Sequence, residues 1–426
     1  MEEPTVTHDA EATYHPTSNP PATIAEPTLV KDREQTVDVI RGLALLGILA
    51  MNIIAFAFPS EAYQDPMGAG ITPWTGPFEG ANAASWWSVH LLADQKMMGL
   101  FSMLFGAGVV LMDRGRPEGF AGVYYRRMGF LFVVGLIHAF GIWFGDILLS
   151  YSLCGLLLYP ARRLSTGWLF ALGTAVFTMG LIVSLGLGAL MQMAPPEEMA
   201  KGMPTPEAIA TSVEEVRSGW GGSLKYNLKN ALFLQFGLFF IWTLWRGLGL
   251  MLIGMALMKL GFFAGRWSVR AYALTAVLGY GLGYAIIVPA AMRLVEVKFG
   301  LVALFSFPGQ ANYVGSVGVA LAHASVLMLV VKAGAFRFLT DRLAAVGRMA
   351  FTNYLATSVV MTFCFYGWGL GLFAKFERAE VYWFVLGMWA LMLLWSPFWL
   401  SRFRMGPLEW FWRSTTHLEW QAMRRA

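Results

Sequence analysis

The chain alternates long apolar runs with short polar breaks, and about 20 apolar residues are what a helix needs to cross the hydrocarbon layer of a bilayer. On that ruler ten spans are predicted, near residues 39–58, 90–112, 128–145, 147–160, 167–193, 240–262, 271–291, 311–331, 349–370 and 381–400. The fourth is short enough to be a bent or tilted piece. The stretch from Leu228 to Phe263 is long for one crossing, so its first part is expected to lie along the interface before the chain enters the membrane. The residues before the first span are polar and proline-dotted (Pro4, Pro16, Pro20, Pro21, Pro27), and up to residue 30 they hold no Lys or Arg. They predict a disordered tail. Because no basic segment, short apolar core and cleavage site precede residue 31, the first run is read as a retained membrane helix, not a signal peptide. The predicted organisation is a tail over 1–36, a transmembrane helical domain over 37–400 with an outer loop near 194–230, and an interfacial helix and tail over 401–426.

Composition agrees with a membrane solvent. Hydrophobic residues make up 57% and charged residues 13%, with mean hydropathy +0.56. A soluble domain carries roughly a quarter charged residues, so a soluble nucleic-acid binder or a disulfide scaffold is a poor fit. Cys154 and Cys364 both lie in apolar runs, where a thiol acts as a small hydrophobe, and form neither a framework nor a metal site. The net charge of +5 reports orientation. With an inside amino terminus, about two thirds of the Lys and Arg fall in the inner segments, and half of the outer ones sit in the long 194–230 loop, where the rule has least force. Both termini are therefore expected on the cytoplasmic side. No internal repeat suggests two inverted halves. Trp86, Trp87, Trp410, Trp412 and Trp420 sit where headgroup anchors are expected, and Gly180, Ser184 and Gly188 repeat at the spacing of close helix packing.

Ionisable groups within the membrane are costly to insert, which makes each a candidate for function. Arg41 and Asn52 are eleven residues apart on the first helix and return almost to one face, roughly 16 Å along the axis. They form either a polar stripe from the cytoplasmic mouth or a snorkelling Arg and an inter-helix Asn. His90 and Asp94 are one turn apart at the outer start of the second span. A carboxylate at that spacing can fix an imidazole tautomer for base chemistry, and an exposed interfacial pair would read the same. His138 lies deep in the third span, with Asp146 at the outer turn, placed to cap the fourth helix. Arg246 could bind an anionic group or pair with Asp146 or Asp94. His323 reads as structural. Thr352, Asn353 and Tyr354, after Arg348, form a polar cluster, and Glu409 and Arg413 read as an i, i+4 ion pair on a short interfacial helix. A phosphate-binding glycine loop, a zinc-spaced His/Cys set and a serine elbow are all missing from the sequence.

Five ordered stretches together resemble the YeiB family of bacterial membrane proteins, whose shared domain is catalogued as one of unknown function. They are Asp38 to Asn52 (DVIRGLALLGILAMN), Leu100 to Gly108 (LFSMLFGAG), Gly135 to Tyr151 with its Gly145-Asp146-Ile147-Leu148, Gly347 to Tyr354 (GRMAFTNY) and Gly406 to Arg413 (GPLEWFWR). The resemblance covers nearly everything from residue 37 onward and implies a multi-pass protein of the bacterial plasma (inner) membrane. It also implies a distant likeness to membrane acyltransferases, including heparan-alpha-glucosaminide N-acetyltransferase and the O-acyltransferases of bacterial surface glycans. Those enzymes share an Arg-Gly in the first helix, matched by Arg41-Gly42, and use cytoplasmic acyl-CoA to acylate an acceptor across the membrane. The glycan enzymes carry a histidine eleven residues after the Arg, where this chain has Asn52, as the heparan enzyme does. His90 or His138 would have to substitute.

The leading expectation is an all-α, transmembrane-acyltransferase-like bundle of about ten helices. It would transfer an acyl group from acyl-CoA to a hydroxyl or amine of a small-molecule or glycan acceptor, amid membrane lipids, without nucleic acid or a covalently bound cofactor. His138, ranked first for its depth, or His90 would be the base, with Asp146 or Asp94 orienting it and Asn52 beside the site. Arg41 and Arg348 would lie near the donor, and Arg246 and Asn353 near the acceptor. The alternatives are a transporter or channel for a small solute, anions included, and a membrane scaffold. The topology makes a direct prediction: in a background lacking Cys154 and Cys364, a single cysteine at position 205 should react with an impermeant reagent in intact cells, and one in the 332–348 loop only after lysis. Labelling of position 205 only after lysis would overturn it.

Overall fold

Apolar runs of this length can satisfy their backbone polar groups inside a bilayer as helices, and the computed structural model is built from them. The structure describes residues 28–113, 120–195, 197 and 203–424. The elements are α1 (Thr28–Ala57), α2 (Gly80–Leu92), α3 (Lys96–Asp113), α4 (Phe120–Gly141), α5 (Leu148–Ala161), α6 (Thr166–Met193), α7 (Pro206–Arg217) and α8 (Trp220–Leu232). After a π-helical stretch, Phe233–Thr243, come α9 (Leu244–Lys259), α10 (Val269–Glu296), α11 (Phe307–Lys332), α12 (Arg337–Arg348), α13 (Ala350–Phe365), α14 (Tyr382–Arg402) and α15 (Pro407–His417). Among the described residues the β-structure is one isolated bridge, Phe403 to Arg424.

The all-α membrane bundle expected from the sequence is what the structure contains. Seven helical segments are long and apolar enough to cross a membrane: Gln35–Ala57, Gly80–Asp113, Thr166–Met193, Trp220–Lys259, Val269–Glu296, Leu301–Lys332 and Tyr382–Arg402. The shorter apolar helices α5 and α13, and the 22-residue α4, take up the remaining predicted spans. α1 is the hub, packed on α3, α12, α13 and α14. Its apolar window is 78% buried against 22% for α6 and α10, which places those two at the lipid-facing periphery.

Small residues set the closest contacts. A Cβ on Gly106 of α3 would lie 1.8 Å from the Met251 carbonyl of α9, and one on Gly254 of α9 would lie 2.0 Å from the Met103 carbonyl of α3. Each glycine thus seats against the other helix's backbone. Gly180, Ser184 and Gly188 form a buried stripe on α6, against Trp245, Tyr313 and Phe305, as their spacing predicted.

The stretch around Leu228 to Phe263, read as long for one crossing, lies in one helical segment of 40 residues, Trp220–Lys259, with the π-helical part Phe233–Thr243 inside it. Three expectations change. The 194–230 segment is largely helical, with α7 clamping an outer loop through Arg217, whose guanidinium donates to the carbonyls of Phe373 (2.8 Å) and Ala374 (2.9 Å). Glu409 does not pair with Arg413. Its carboxylate instead accepts from the amides of Phe351 (2.8 Å) and Thr352 (3.0 Å) and from the Thr352 hydroxyl (2.5 Å), capping α13 from 57 residues away. Burial pushes the Glu409 carboxyl up and these donors oppose the rise. Trp86 is not a headgroup anchor, being only 9% exposed and stacked on His90. The tail expected over 1–36 falls mostly outside the described residues, which begin within it at Thr28.

The α3–α9 seam predicts that Gly254→Ala lowers the melting temperature in detergent, by about 1–3 kcal/mol of strain. Gly108→Ala, whose Cβ meets nothing within 4 Å, should be neutral. Equal melting temperatures for the two variants would contradict the packing.

Candidate functional site

The run that reads as one span from His90 to Met112 is broken in the structure. α2 ends at Leu92, and Gln95 takes a left-handed conformation (φ 61°) before α3 starts at Lys96. A non-glycine residue there is strained. The end of α2 leaves carbonyls without helical partners in a region with little water. Other side chains supply the donors. Lys96 Nζ donates to the His90 carbonyl (2.5 Å), Tyr284 Oη to that of Leu91 (3.3 Å) and His323 Nε2 to that of Leu92 (3.0 Å), while Arg246 Nη2 (3.2 Å) joins the Gly99 amide (3.0 Å) on the Gln95 carbonyl that opens α3. Because a carbonyl can only accept, His323 carries its proton on Nε2 and its Nδ1 accepts from Tyr280 Oη (2.7 Å). This is the structural role its sequence position suggested.

The broken segment also carries the first histidine pair. His90 Nδ1 lies 3.1 Å from Asp94 Oδ2, the same oxygen that accepts from Asn312 Nδ2 (2.7 Å), and Asn312 Oδ1 in turn accepts from Lys96 Nζ (2.5 Å). The Asp94 carboxylate therefore sits one amide away from the buried Lys96 ammonium. It fixes Nδ1 of His90 as the donor and leaves the Nε2 lone pair available. His90 is 8% exposed, so the pair is not an exposed interfacial one. It borders a cavity of about 50 Å³, at the end that the sequence expectation places outside, lined by Met51, Ile54, Tyr63, Trp86, Val89, His90, Asp94, Arg378 and Tyr382. Trp86 stacks on the imidazole with ring centroids 4.6 Å apart and 9° between planes. A larger cavity of about 140 Å³ lies beside Trp220 and Trp368 and is lined by apolar, hydroxyl and amide side chains, with no titratable acid or base.

His138 and Asp146 form a second pair, with Nδ1 to Oδ1 at 2.7 Å, and Asp146 Oδ2 accepts the Leu149 amide at 2.7 Å. Asp146 thus caps α5 and holds the imidazole at once. His138 is 1% exposed, enclosed by Tyr354 and Trp143, and its Nε2 has no hydrogen-bond partner among the described residues. The depth that ranked it first also seals it off. Arg246 is 1% exposed but pairs with neither Asp94 nor Asp146. Besides Gln95, it donates to the Tyr313 carbonyl (2.6 Å) and Ser316 Oγ (2.7 Å), with the Tyr313 ring 4.8 Å away. Asn353 is spent between helices, bonding Ser396 Oγ (3.0 Å), Trp395 Nε1 (3.0 Å) and the Val346 carbonyl (3.3 Å).

At the other end of α1, Arg41 bonds Asp38 (2.6 Å) and Arg348 donates to the Arg404 carbonyl (3.2 Å). Gly347, next to Arg348, packs on the backbone of Asp38 and Gly42 beside Arg41. Asn52 follows Met51 of the cavity wall and is partly exposed.

Sequence reasoning missed Tyr63, Arg378 and Tyr382, and read Trp86 only as an anchor. Arg378 is 3% exposed and donates to the Ala62 carbonyl (2.7 Å). Burial lowers its guanidinium to about 10, which leaves it charged at neutral pH. In sequence it was one more basic residue of an outer loop, and the only available signal was that it breaks the inside-positive pattern.

Residues 257–419 match the family described as "Protein of unknown function (DUF418)". That stretch supplies Arg378 and Tyr382, whereas His90 and Asp94 come from the preceding half of the chain. The chain is 34% identical over 409 residues to the "Uncharacterized protein YeiB" of Escherichia coli (strain K12), covering 90% of this chain and 96% of the relative. It is 30% identical over 419 residues to the "Uncharacterized protein YxaH" of Bacillus subtilis (strain 168), covering 93% and 97%. No solved structure matches it.

Proposed function

The chain belongs to the YeiB family of membrane proteins, and for it we propose acyl transfer from acyl-CoA to a hydroxyl or amine of an acceptor that enters the outer cavity. The observation that carries this reading is the His90–Asp94 pair at that cavity, with the imidazole tautomer fixed for a base at Nε2. In the reaction His90 Nε2 takes the acceptor's proton while the acceptor's electron pair closes on the thioester carbonyl carbon. The carbon–sulfur bond then breaks, and the CoA sulfur leaves with its electron pair and recovers the proton from the imidazolium. Asp94 steadies that imidazolium. Acyl-CoA is a co-substrate here, not a resident cofactor.

The donor is proposed to arrive from the cytoplasm, where an inside amino terminus places Arg41 and Arg348 at the inner ends of α1 and α12. Phosphate oxygens would take over the Arg41 contact to Asp38, an exchange that a bidentate guanidinium favours. Asn52, roughly 16 Å further along α1, marks the route toward His90. The His138–Asp146 pair is assigned to holding the α4–α5 turn. A second reading, transport of a small anionic solute, draws on the interrupted helix and on Lys96 and Arg246, which are 0% and 1% exposed at membrane depth.

In nanodiscs, the purified protein should bind acetyl-CoA saturably and, with an envelope glycan and lipid extract as acceptor, release free CoA thiol. His90→Gln should keep the binding and lose thiol release by about a hundredfold or more. Millimolar acetyl-CoA giving neither heat nor a thermal shift would overturn the proposal, and solute flux in proteoliposomes would then favour transport.

A further inference from the structure

The cavity beside His90 contains a cation that the dyad does not use. Arg378 is 3% exposed and has no carboxylate within 4 Å among the described residues. One of its five donors goes to the Ala62 carbonyl. A buried charge so thinly bonded is costly unless something pairs with it. The nearby acids do not bond it: Asp65 acts on Arg378 only from beyond 4 Å and accepts the Met67 amide, Glu377 accepts Asn82 Nδ2, and Glu380 accepts the Glu377 amide. Tyr382 lines the same cavity, and its hydroxyl is buried without a hydrogen-bond partner. A buried phenol ordinarily finds an acceptor. Two donors that lack an acceptor thus share one small space.

Resting on the acyl-transfer reading for its place beside His90, we propose that the outer cavity binds an anionic group of the acceptor, a carboxylate or a phosphate, between the Arg378 guanidinium and the Tyr382 hydroxyl. The carboxylate already in the wall does not oppose this. Asp94 Oδ2 takes both His90 and the Asn312 amide that also binds Lys96, so its charge is answered locally and Arg378 is the cation left over. Size limits the occupant as well. About 50 Å³ of water-accessible room holds about three or four waters, enough for a carboxylate or phosphate head but not a sugar ring. The acceptor therefore inserts its charged group, and the hydroxyl or amine to be acylated lies within reach of His90. The substrate class is a hydroxyl or amine compound with a carboxylate or phosphate nearby, either free or on a lipid headgroup.

The test uses the full chain in phosphatidylcholine nanodiscs, titrated with inorganic phosphate or sodium acetate against sodium chloride at matched ionic strength, with melting temperature and heat as readouts. Phosphate or acetate should raise the wild-type melting temperature above chloride. Tyr382→Phe, which removes a hydroxyl without a partner and so should fold, should weaken binding at least fivefold. Arg378→Gln should abolish it, and if that variant does not fold, Tyr382→Phe decides. Replacing half the phosphatidylcholine with phosphatidylglycerol identifies the source: a raised melting temperature without added phosphate, lost in Tyr382→Phe, points to a lipid headgroup, and no change points to a free anion. Equal responses to phosphate, acetate and chloride in both nanodisc types, or a Tyr382→Phe response equal to wild type, would overturn the anionic site. Acetyl-CoA binding and thiol release in a protein indifferent to phosphate and acetate would sink this inference and leave acyl transfer standing. The reverse pattern would leave the anion site and remove acyl transfer.

Discussion

A helix that stops inside a bilayer leaves carbonyls that no water can solvate, and the break between α2 and α3 imposes that constraint on the helices around it. The carbonyls of His90, Leu91 and Leu92 are answered by Lys96, Tyr284 and His323, and Arg246 adds a second donor to the Gln95 carbonyl that opens α3. Those donors come from α3, α10, α11 and α9, so the break ties four helices to one point. An unsatisfied group there would cost several kcal/mol, which makes the break affordable only in the assembled bundle. The α3–α9 glycine seam, by bringing those backbones together, lets Arg246 reach Gln95.

The same arrangement accounts for cations at membrane depth. Lys96 and Arg246 are almost fully buried, yet neither makes an ion pair with a carboxylate among the described residues. Backbone and amide oxygens hold them, with the Trp242, Phe177 and Tyr313 rings around Arg246. The Asn312 amide links Lys96 Nζ to the Asp94 carboxylate, and that carboxylate sets the tautomer on which the proposed chemistry depends. The fold's need for donors and the site's need for an oriented histidine are met by one polar cluster. His138, more deeply buried than His90 and more closely paired, has its partner committed to the end of α5, and its free nitrogen meets protein instead of a cavity.

Much of this was legible in the sequence. Each of the ten apolar runs contains a membrane-type helix, and the His90–Asp94 and His138–Asp146 pairs and the small-residue stripe of α6 were visible from the sequence. The break was not, because Ala93, Asp94 and Gln95 contain no glycine or proline and the left-handed residue is a glutamine. Arg378 and Tyr382 join the cavity through packing across almost 300 residues of chain, and Glu409 reaches α13 across 57, distances at which local periodicity carries no signal. Arg246 was expected to seek a carboxylate, but in the bundle exposed carbonyls compete for the same donors.

The most direct test of the account is the conformation at Gln95, read from the difference between two variants. In a left-handed position glycine is relieved of the strain, about 1–2 kcal/mol, that alanine keeps. In a continuous helix the order reverses, with alanine favoured by about 1 kcal/mol. The account predicts that Gln95→Gly melts at a higher temperature than Gln95→Ala in the same nanodiscs. A higher melting temperature for Gln95→Ala would mean that the helix runs through unbroken, and the organisation described above would be wrong.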